Sequence, residues 1–305
     1  MNARALLLLA LMFSGCLPAG TSQRSIAGSK LKIDRITRTY EAHQTGDKFL
    51  PLENQPGELI WLTGLSTRCQ AEDGVNLSPR FLGYSTLDLR WPEWHNDKFG
   101  TSQSARLFGL GRGLPQFKLP RGFGIPMHSN EPLWYTSRIV NPDPYLPAQE
   151  LGQQVTLDLT RERGLGNPMT AVLVRPVDVR QSGSHLWDIG PGVSEYRNEI
   201  TSELYLTKDC CRLVGATAWM LDYGQVTRLK DLTTGETVLE LRTVAGARGE
   251  IQSVESYSDP EGVILDPDHR FALEASFDNS GRGESKAGAY VNLYFADESF
   301  LRPPR

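Results

Sequence analysis

From residue 31 onward, apolar and polar residues alternate with a period of two in many short runs. In one of them Phe271, Leu273, Ala275 and Phe277 are separated by Ala, Glu and Ser. A period of two places alternate side chains on opposite faces of a strand. A helical period of 3.6 persists nowhere for more than two turns, and most of the 29 Gly and 19 Pro residues fall between the runs. The pattern predicts an all-β fold, a sandwich or jelly roll, with almost no helix.

The alternating runs locate individual strands. A short connection at 233–236, Thr-Thr-Gly-Glu, separates two of the runs and predicts a hairpin. The predicted strands are 59–65, 81–89, 133–140, 155–159, 226–232 and 237–244, with further strands beginning at 200 and 271.

The chain is long enough for two domains with separate cores. A segment rich in Gly and Ser at 180–192 separates strand patterns on either side, so we expect a boundary near 176–192. An N-terminal sandwich at 31–175 and a C-terminal sandwich at 176–305 follow from this boundary.

The first sixteen residues have the pattern of a bacterial lipoprotein signal. Arg4 precedes an apolar run at 5–13, and Phe13-Ser14-Gly15-Cys16 is similar to a lipobox. The run is far shorter than the roughly 20 residues of a membrane-spanning helix. We therefore expect a signal at 1–16, lipidation of Cys16, and a flexible tether of small polar residues at 17–30. An ordinary signal peptide cut elsewhere, or a buried helix of a cytosolic protein, is the alternative.

The expected partner of such a chain is the membrane, through the lipid anchor. Leu17 stands where aspartate would retain a lipoprotein in the inner membrane, which in a Gram-negative host favours the outer membrane, on its periplasmic face or at the cell surface. The net charge is −4 and no stretch concentrates Lys or Arg, so nucleic acid is excluded as a partner. The ligand or protein partner is not identified by these features.

Residues that carry chemistry are scattered. The five histidines are all more than thirty residues apart, which excludes every local His pair, although a site assembled from distant strands stays open. No GxSxG motif is present. Gly109-Leu-Gly-Arg-Gly113 favours a Gly-rich hairpin loop over a phosphate loop, and 278–284 favours a solvated turn over a calcium loop. We expect no catalytic, cofactor-binding or metal-ligating residue.

Three cysteines remain after Cys16, so they cannot all pair within one chain. A bridge from Cys69 to Cys210 or Cys211 and a rare vicinal disulfide both stay open, because sequence does not set the geometry.

Several stretches resemble one family. Phe99-Gly-Thr-Ser-Gln-Ser-Ala-Arg-Leu-Phe108, Leu119-Pro-Arg-Gly-Phe-Gly-Ile-Pro126 and Ser129-Asn-Glu-Pro-Leu133 are similar to bacterial relatives of the stress-up-regulated nodulin family. Those proteins in turn resemble copper type II, ascorbate-dependent monooxygenases of the peptidylglycine α-hydroxylating kind. Weaker matches, in the same order along the chain as in that family, lie on either side of these stretches at 61–64, 77–82, 229–236, 277–279 and 293–295. The resemblance spans most of 59–300 and implies two jelly-roll sandwiches side by side.

The resemblance also implies where copper ligands would stand. The copper enzymes hold one metal on each domain, mainly through histidines and one methionine, with the cleft between the domains as the reaction site. Here the matching positions carry other side chains, which are Tyr84, Gln153, Trp219, Leu221 and Gly288. Copper in such sites needs nitrogen donors. The fold is thus expected to be kept and the metals lost.

Three interpretations follow. The first is a non-catalytic, surface-tethered binding or structural module, a monooxygenase-like pseudoenzyme without a cofactor. The second is a copper- and ascorbate-dependent monooxygenase with an atypical site, for which the first histidines to test are His95, His128 and His269. The third is a glycan-binding module or an unrelated β-sandwich enzyme, favoured by the tryptophans Trp91, Trp94 and Trp134. Copper content separates the first two, and a ligand screen separates the first from the third.

Overall fold

The computed structural model describes residues 22–33, 43–44, 48–51, 57–71, 73–90, 104–140, 149–163, 165–280 and 283–301. Strands make up 65% of the chain and helix 3%, which confirms the all-β prediction. In the described part of the chain the helical elements are a 3-10 turn at Pro79–Phe81 and one α-helical turn, α1, at Thr201–Leu204. None of the described helices has the length and apolar character needed to cross a membrane.

Two sheets form the N-terminal sandwich. The back sheet has the order β1-β10-β4-β8, with β7 beside β4, and the front sheet has the order β2-β9-β5-β6, with β3 beside β9. The strands of the back sheet are β1 (Ser22–Ile33), β4 (Leu59–Ala71), β7 (Gln116–Lys118), β8 (Phe123–His128) and β10 (Gln149–Arg161). Those of the front sheet are β2 (His43–Gln44), β3 (Lys48–Pro51), β5 (Leu82–Arg90), β6 (Ser104–Gly111) and β9 (Pro132–Ile139).

The C-terminal sandwich pairs a sheet of order β11-β21-β14-β18 with one of order β13-β19-β15-β16-β17. A short pair, β12 and β20, lies apart from both. The strands of the first sheet are β11 (Thr170–Val179), β14 (Arg212–Met220), β18 (Ser256–Ile264) and β21 (Ala289–Asp297). The others are β12 (Trp187–Ile189), β13 (Val193–Glu199), β15 (Gly224–Asp231), β16 (Thr237–Ala245), β17 (Ile251–Val254), β19 (Phe271–Asp278) and β20 (Ser285–Ala287).

The two jelly-roll sandwiches lie side by side and share one sheet. β11 pairs in parallel with β8 at Thr170 and Ala171, so the back sheet continues into the second sandwich as a nine-stranded sheet. One continuous cluster of buried apolar side chains includes residues of both sandwiches. β21 is buried along almost its whole length, because the second sandwich covers one of its faces and the first sandwich covers the other.

The boundary predicted between 175 and 176 falls inside β11, which pairs with β21 from Ala171 to Val179. The second sandwich therefore begins with β11 at Thr170. The segment at 180–192 is not a linker, since it contains a turn closed by Gln181 and Ser184, followed by β12. Glycine is favoured in this turn because Gly183 has a positive φ of 78°.

Two further expectations are wrong. The run at 200–206 is helical rather than extended: Ile200 and Leu204 are buried on the same face of α1, and Thr201 Oγ1 accepts a hydrogen bond from the backbone N–H of Phe271. The tether predicted at 17–30 is strand β1 from Ser22 onward, because its backbone pairs with β10. The hairpin around 233–236 is confirmed, with Gly235 at a φ of 80°.

Candidate ligand-binding cleft

A cleft of about 760 Å³ lies between the sandwiches. Its first wall is the outer face of the front sheet, formed by β5, β6 and β9, and its second wall is the outer face of β11, β14 and β21. The volume lies within the roughly 300–1,000 Å³ typical of ligand pockets.

The first wall follows from the period of two. On β5 the side chains of Tyr84, Thr86 and Asp88 face the cleft, while Ser85 and Leu87 between them are fully buried in the sandwich. The register of β5 and β9 continues the surface, since the cleft-lining residues opposite them on β9 are Arg138, Thr136 and Trp134.

An ion pair within the first wall also contacts the second wall. Arg106 Nε donates to Asp88 Oδ1 at 2.5 Å, and its Nη1 donates to the hydroxyl of Tyr290 on the opposite wall at 3.1 Å. The guanidinium also lies 5.6 Å from the centroid of the Tyr290 ring. Burial raises the pKa of Asp88 and raises the pKa of Tyr290 to about 12. Burial alone would lower the pKa of Arg106, but its interactions with Tyr290 and Asp88 raise it. The interaction with Arg106 favours the charged form of Asp88 and so offsets part of the cost of its burial.

A second paired carboxylate lies on the other wall. Arg180 Nε donates to Asp178 Oδ1 at 2.7 Å, and the imidazole of His185 contacts the second carboxylate oxygen through Nδ1. The Asp178 side chain is 7% exposed, whereas that of His185 is 69% exposed at the rim. Each carboxylate of the cleft is thus matched by a guanidinium.

Aromatic side chains close one end of the cleft. Trp219 Nε1 donates to the backbone oxygen of Gly83 at 2.7 Å, and its ring meets Tyr84 edge-on with centroids 6.5 Å apart. These contacts join β14 of the second sandwich to β5 of the first. A side chain at Gly83 would be crowded, since its Cβ would lie 3.0 Å from the backbone oxygen of Arg138.

The glycine run at 109–113 brings the sandwiches into contact. Gly109 and Gly111 end β6, and the chain then turns, with Leu114 donating its backbone N–H to the oxygen of Gly111. The predicted hairpin turn is therefore present, and the glycines before it belong to a strand. A Cβ on Gly109 would lie 2.3 Å from Asn292 Nδ2, and one on Gly111 would lie 2.6 Å from Trp219 Cδ1. Glycine is required because β6 packs its backbone directly on the second sandwich.

Four of the five positions matched to copper ligands lie close together, and the fifth is apart from them. Tyr84 and Trp219 contact each other, and Gly288 is beside them, since a Cβ on it would lie 3.6 Å from Trp219. Leu221 is next to Gly288, because its backbone N–H donates to the Gly288 oxygen at 3.0 Å.

The fifth position, Gln153, is inside the N-terminal sandwich. It is 4% exposed, and its Nε2 is within 3.1 Å of three hydroxyl oxygens. These belong to Thr67, Tyr135 and Ser137. The amide is held in a closed network.

The three histidines whose side chains the structure describes do not converge. His128 ends β8, and His269 lies in the second sandwich with Nδ1 2.7 Å from Asp231 Oδ2. His185, at the cleft, was not singled out from the sequence, since a lone histidine in a Gly- and Ser-rich segment carries no signal. Among the described residues, no group of three or more His, Cys, Asp or Glu side chains is arranged to hold a metal ion.

The remaining residues that were singled out from the sequence lie in different parts of the chain. Trp134 lines the first wall of the cleft. Residues outside the described part of the chain are Cys16, Trp91, Trp94 and His95, together with the side chain of His43. Cys69 lies in the first sandwich, Cys210 and Cys211 lie in the second, and all three are buried as thiols. The bridge that the sequence left open is thus not formed between them.

The chain resembles known proteins in structure but matches none in the sequence comparisons. No family model matches the chain, and no curated protein matches it. The solved structures that it resembles include viral capsid jelly-roll proteins. The STIV MCP is 10% identical, with a TM-score of 0.35, over 91% of this chain and 96% of that one. The broad bean stain virus structure is 10% identical, with a TM-score of 0.31, over 96% of this chain and 94% of that one.

Proposed function

We propose that the protein is a lipid-anchored, non-catalytic binding module that holds its ligand in the cleft between the two sandwiches. One observation carries the proposal: the walls present partly exposed aromatic rings beside two carboxylates that are each already paired with a guanidinium. Such a surface is equipped to orient a ligand through stacking and hydrogen bonds.

Copper does not fit the residues that the resemblance assigns to it. A phenol, an indole, a leucine and a glycine offer no imidazole nitrogen, and the amide of Gln153 is hydrogen-bonded inside the first sandwich. Among the described residues that line the cleft, the imidazole is that of His185, which contacts the carboxylate of Asp178. This donor set supports a site without copper.

The anchor would hold the cleft close to a membrane. If Cys16 is lipidated, only residues 17–21 separate the lipid from β1 at Ser22. A fully extended chain spans about 3.3–3.6 Å per residue, so this connection reaches roughly 18 Å. The N-terminal sandwich would therefore sit against or near the bilayer surface.

Two measurements test the anchor. Mass spectrometry of the native protein is expected to find an acylated Cys16 at the mature N-terminus. The Cys16→Ser variant is expected to leave the membrane fraction. A freely soluble mature form that begins at another residue would contradict the anchoring part of the proposal.

The cleft is tested by filling it. Thr136 is in the first wall, so Thr136→Trp would occupy the space, whereas Thr237→Trp adds the same side chain to an exposed strand position of β16. Protein purified from its native envelope is expected to carry a small molecule that native mass spectrometry detects. We expect Thr136→Trp to lose that molecule and Thr237→Trp to keep it. Retention of the molecule by both variants would place the ligand elsewhere.

A further inference from the structure

Aromatic faces are distributed over both walls of the cleft. Tyr84 and Trp134 lie on the first wall, Trp219 and Tyr290 lie on the second, and all four are partly exposed. The face of an aromatic ring carries negative charge density, so it attracts the slightly positive C–H groups of a saturated ring laid on it. The walls therefore suit a saturated ring as well as an aromatic one.

Neutral hydroxyl groups lie between these rings. Thr86 and Thr136 are opposite each other on β5 and β9. Hydroxyl groups both donate and accept hydrogen bonds. The two carboxylates and their guanidinium partners add planar acceptors and donors. A ligand rich in hydroxyl groups would find partners of both kinds.

The charged side chains argue against cations and lipids. Arg106 is paired with Asp88, and Arg180 with Asp178, so an anion would have to compete with these carboxylates for them. A cationic ligand would meet both guanidinium groups and that of Arg138, which also lines the cleft. An alkyl chain would bury these charged groups without giving them new hydrogen bonds, which is costly.

Backbone pairing argues against an extended peptide. β5 has β6 and β9 on its two sides, and β21 has β11 and β14. Their backbone groups are engaged in the sheets, so a peptide cannot add to them as a further strand. These two strands can therefore recognise a ligand only through their side chains.

We propose that the cleft binds a neutral oligosaccharide, whose rings stack on the aromatic side chains while their hydroxyl groups bond to the polar residues between them. The inference rests on the proposed binding function and names its ligand class.

The test uses the full-length protein in a detergent without a sugar headgroup, applied to an array of immobilised oligosaccharides built from neutral, N-acetylated and uronic sugars. We expect binding to neutral sugars. Trp134→Ala and Thr136→Trp are each expected to weaken it about tenfold or more, the scale of a buried contact at the centre of an interface. The control Thr237→Trp is expected to bind like the wild type. Thermal melting checks that each variant is folded.

The possible outcomes distinguish an error in the proposed ligand class from an error in the proposed function. Binding to uronic sugars alone, or sugar binding that Thr136→Trp leaves unchanged, would overturn the inference. Absence of sugar binding, together with loss from Thr136→Trp of another co-purified molecule such as a peptide, would also overturn it while leaving the binding function intact. Release of new reducing ends from a bound sugar would instead overturn the non-catalytic part of the proposed function.

Discussion

Replacing Gly111 by alanine would add a methyl group where β6 touches the second sandwich. The new Cβ would lie 2.6 Å from Cδ1 and 3.0 Å from Cβ of Trp219. The indole cannot easily move, because its Nε1 donates to the Gly83 oxygen at 2.7 Å and its ring packs edge-on against Tyr84. The strand or the tryptophan must therefore shift, and the interface between the sandwiches loosens.

The size of the effect follows from two opposing contributions. Overpacking of a close-packed contact costs about 1–3 kcal/mol of the free energy of unfolding. Removing a glycine from the unfolded chain returns about 0.4–1 kcal/mol, since alanine has fewer unfolded conformations. We expect Gly111→Ala to lose about 1–2 kcal/mol and to lower Tm by about 2–8 °C.

Gly152→Ala is the matched control. Gly152 also lies in a strand, but a Cβ there would meet its nearest neighbours, in Gln70, at 3.8 Å, which is an ordinary contact distance. We expect its stability to be unchanged or slightly raised. Urea unfolding and thermal melting, followed by tryptophan fluorescence, measure both variants. If Gly111→Ala is as stable as Gly152→Ala, the proposed contact between β6 and Trp219 is wrong.

Three other predictions concern charge, thiols and metal. A hydrogen bond to Asp231 raises the pKa of His269, so the protonated form stabilises the fold below about pH 6.5 and this contribution is lost as pH rises through the raised pKa. His269→Gln should therefore lower the urea midpoint near pH 5 but not near pH 9, and an equal loss at both would contradict the ion pair. Burial raises the pKa of the Cys69 thiol to about 12 and also raises the pKa of the Cys211 thiol. Because the thiolate is the reactive form, a thiol reagent should react with neither cysteine before the protein unfolds. Rapid labelling of the native protein would refute this prediction. After dialysis against copper, elemental analysis should find well under one copper ion per chain. With ascorbate, the protein should not consume oxygen faster than free copper does. Stoichiometric copper with a nitrogen-rich paramagnetic resonance signal would refute the non-catalytic proposal.

Most of the fold could be predicted because strand alternation is a local property of the sequence. The runs at 59–65 and 133–140 correspond to β4 and β9, and the Gly-containing hairpin joins β15 and β16. The helical turn at 201–204 was missed because Ile200, Leu204 and Leu206 satisfy both a period of two and a spacing of four. The boundary was misplaced because Gly and Ser residues mark turns within a sandwich as readily as linkers between domains.

The site was harder to predict because its residues come from strands far apart in sequence. Asp88 and Arg106 belong to one wall and Asp178 to the other, and no local spacing connects them. Trp134 was singled out, and Tyr84 and Trp219 were singled out for another role. Alternation shows that Tyr84 and Thr86 leave the core, but it does not show whether they then face water or a second sandwich. That information lies in the pairing of β8 with β11, a contact between distant residues.

The shared sheet restricts how far the two walls of the cleft can move apart. Domains that close on a ligand by a hinge need a connection that bends, whereas here β8 and β11 are paired and one apolar core extends through both sandwiches. Arg112, which is 8% exposed, adds an ion pair with Asp222 at 2.5 Å across the same contact. Opening the walls would expose this apolar surface and leave the charged partners without each other, so the free protein already holds the walls at their spacing. A preformed cleft avoids the cost of ordering on binding, and the proposed oligosaccharide would be selected by its size and by the positions of its hydroxyl groups.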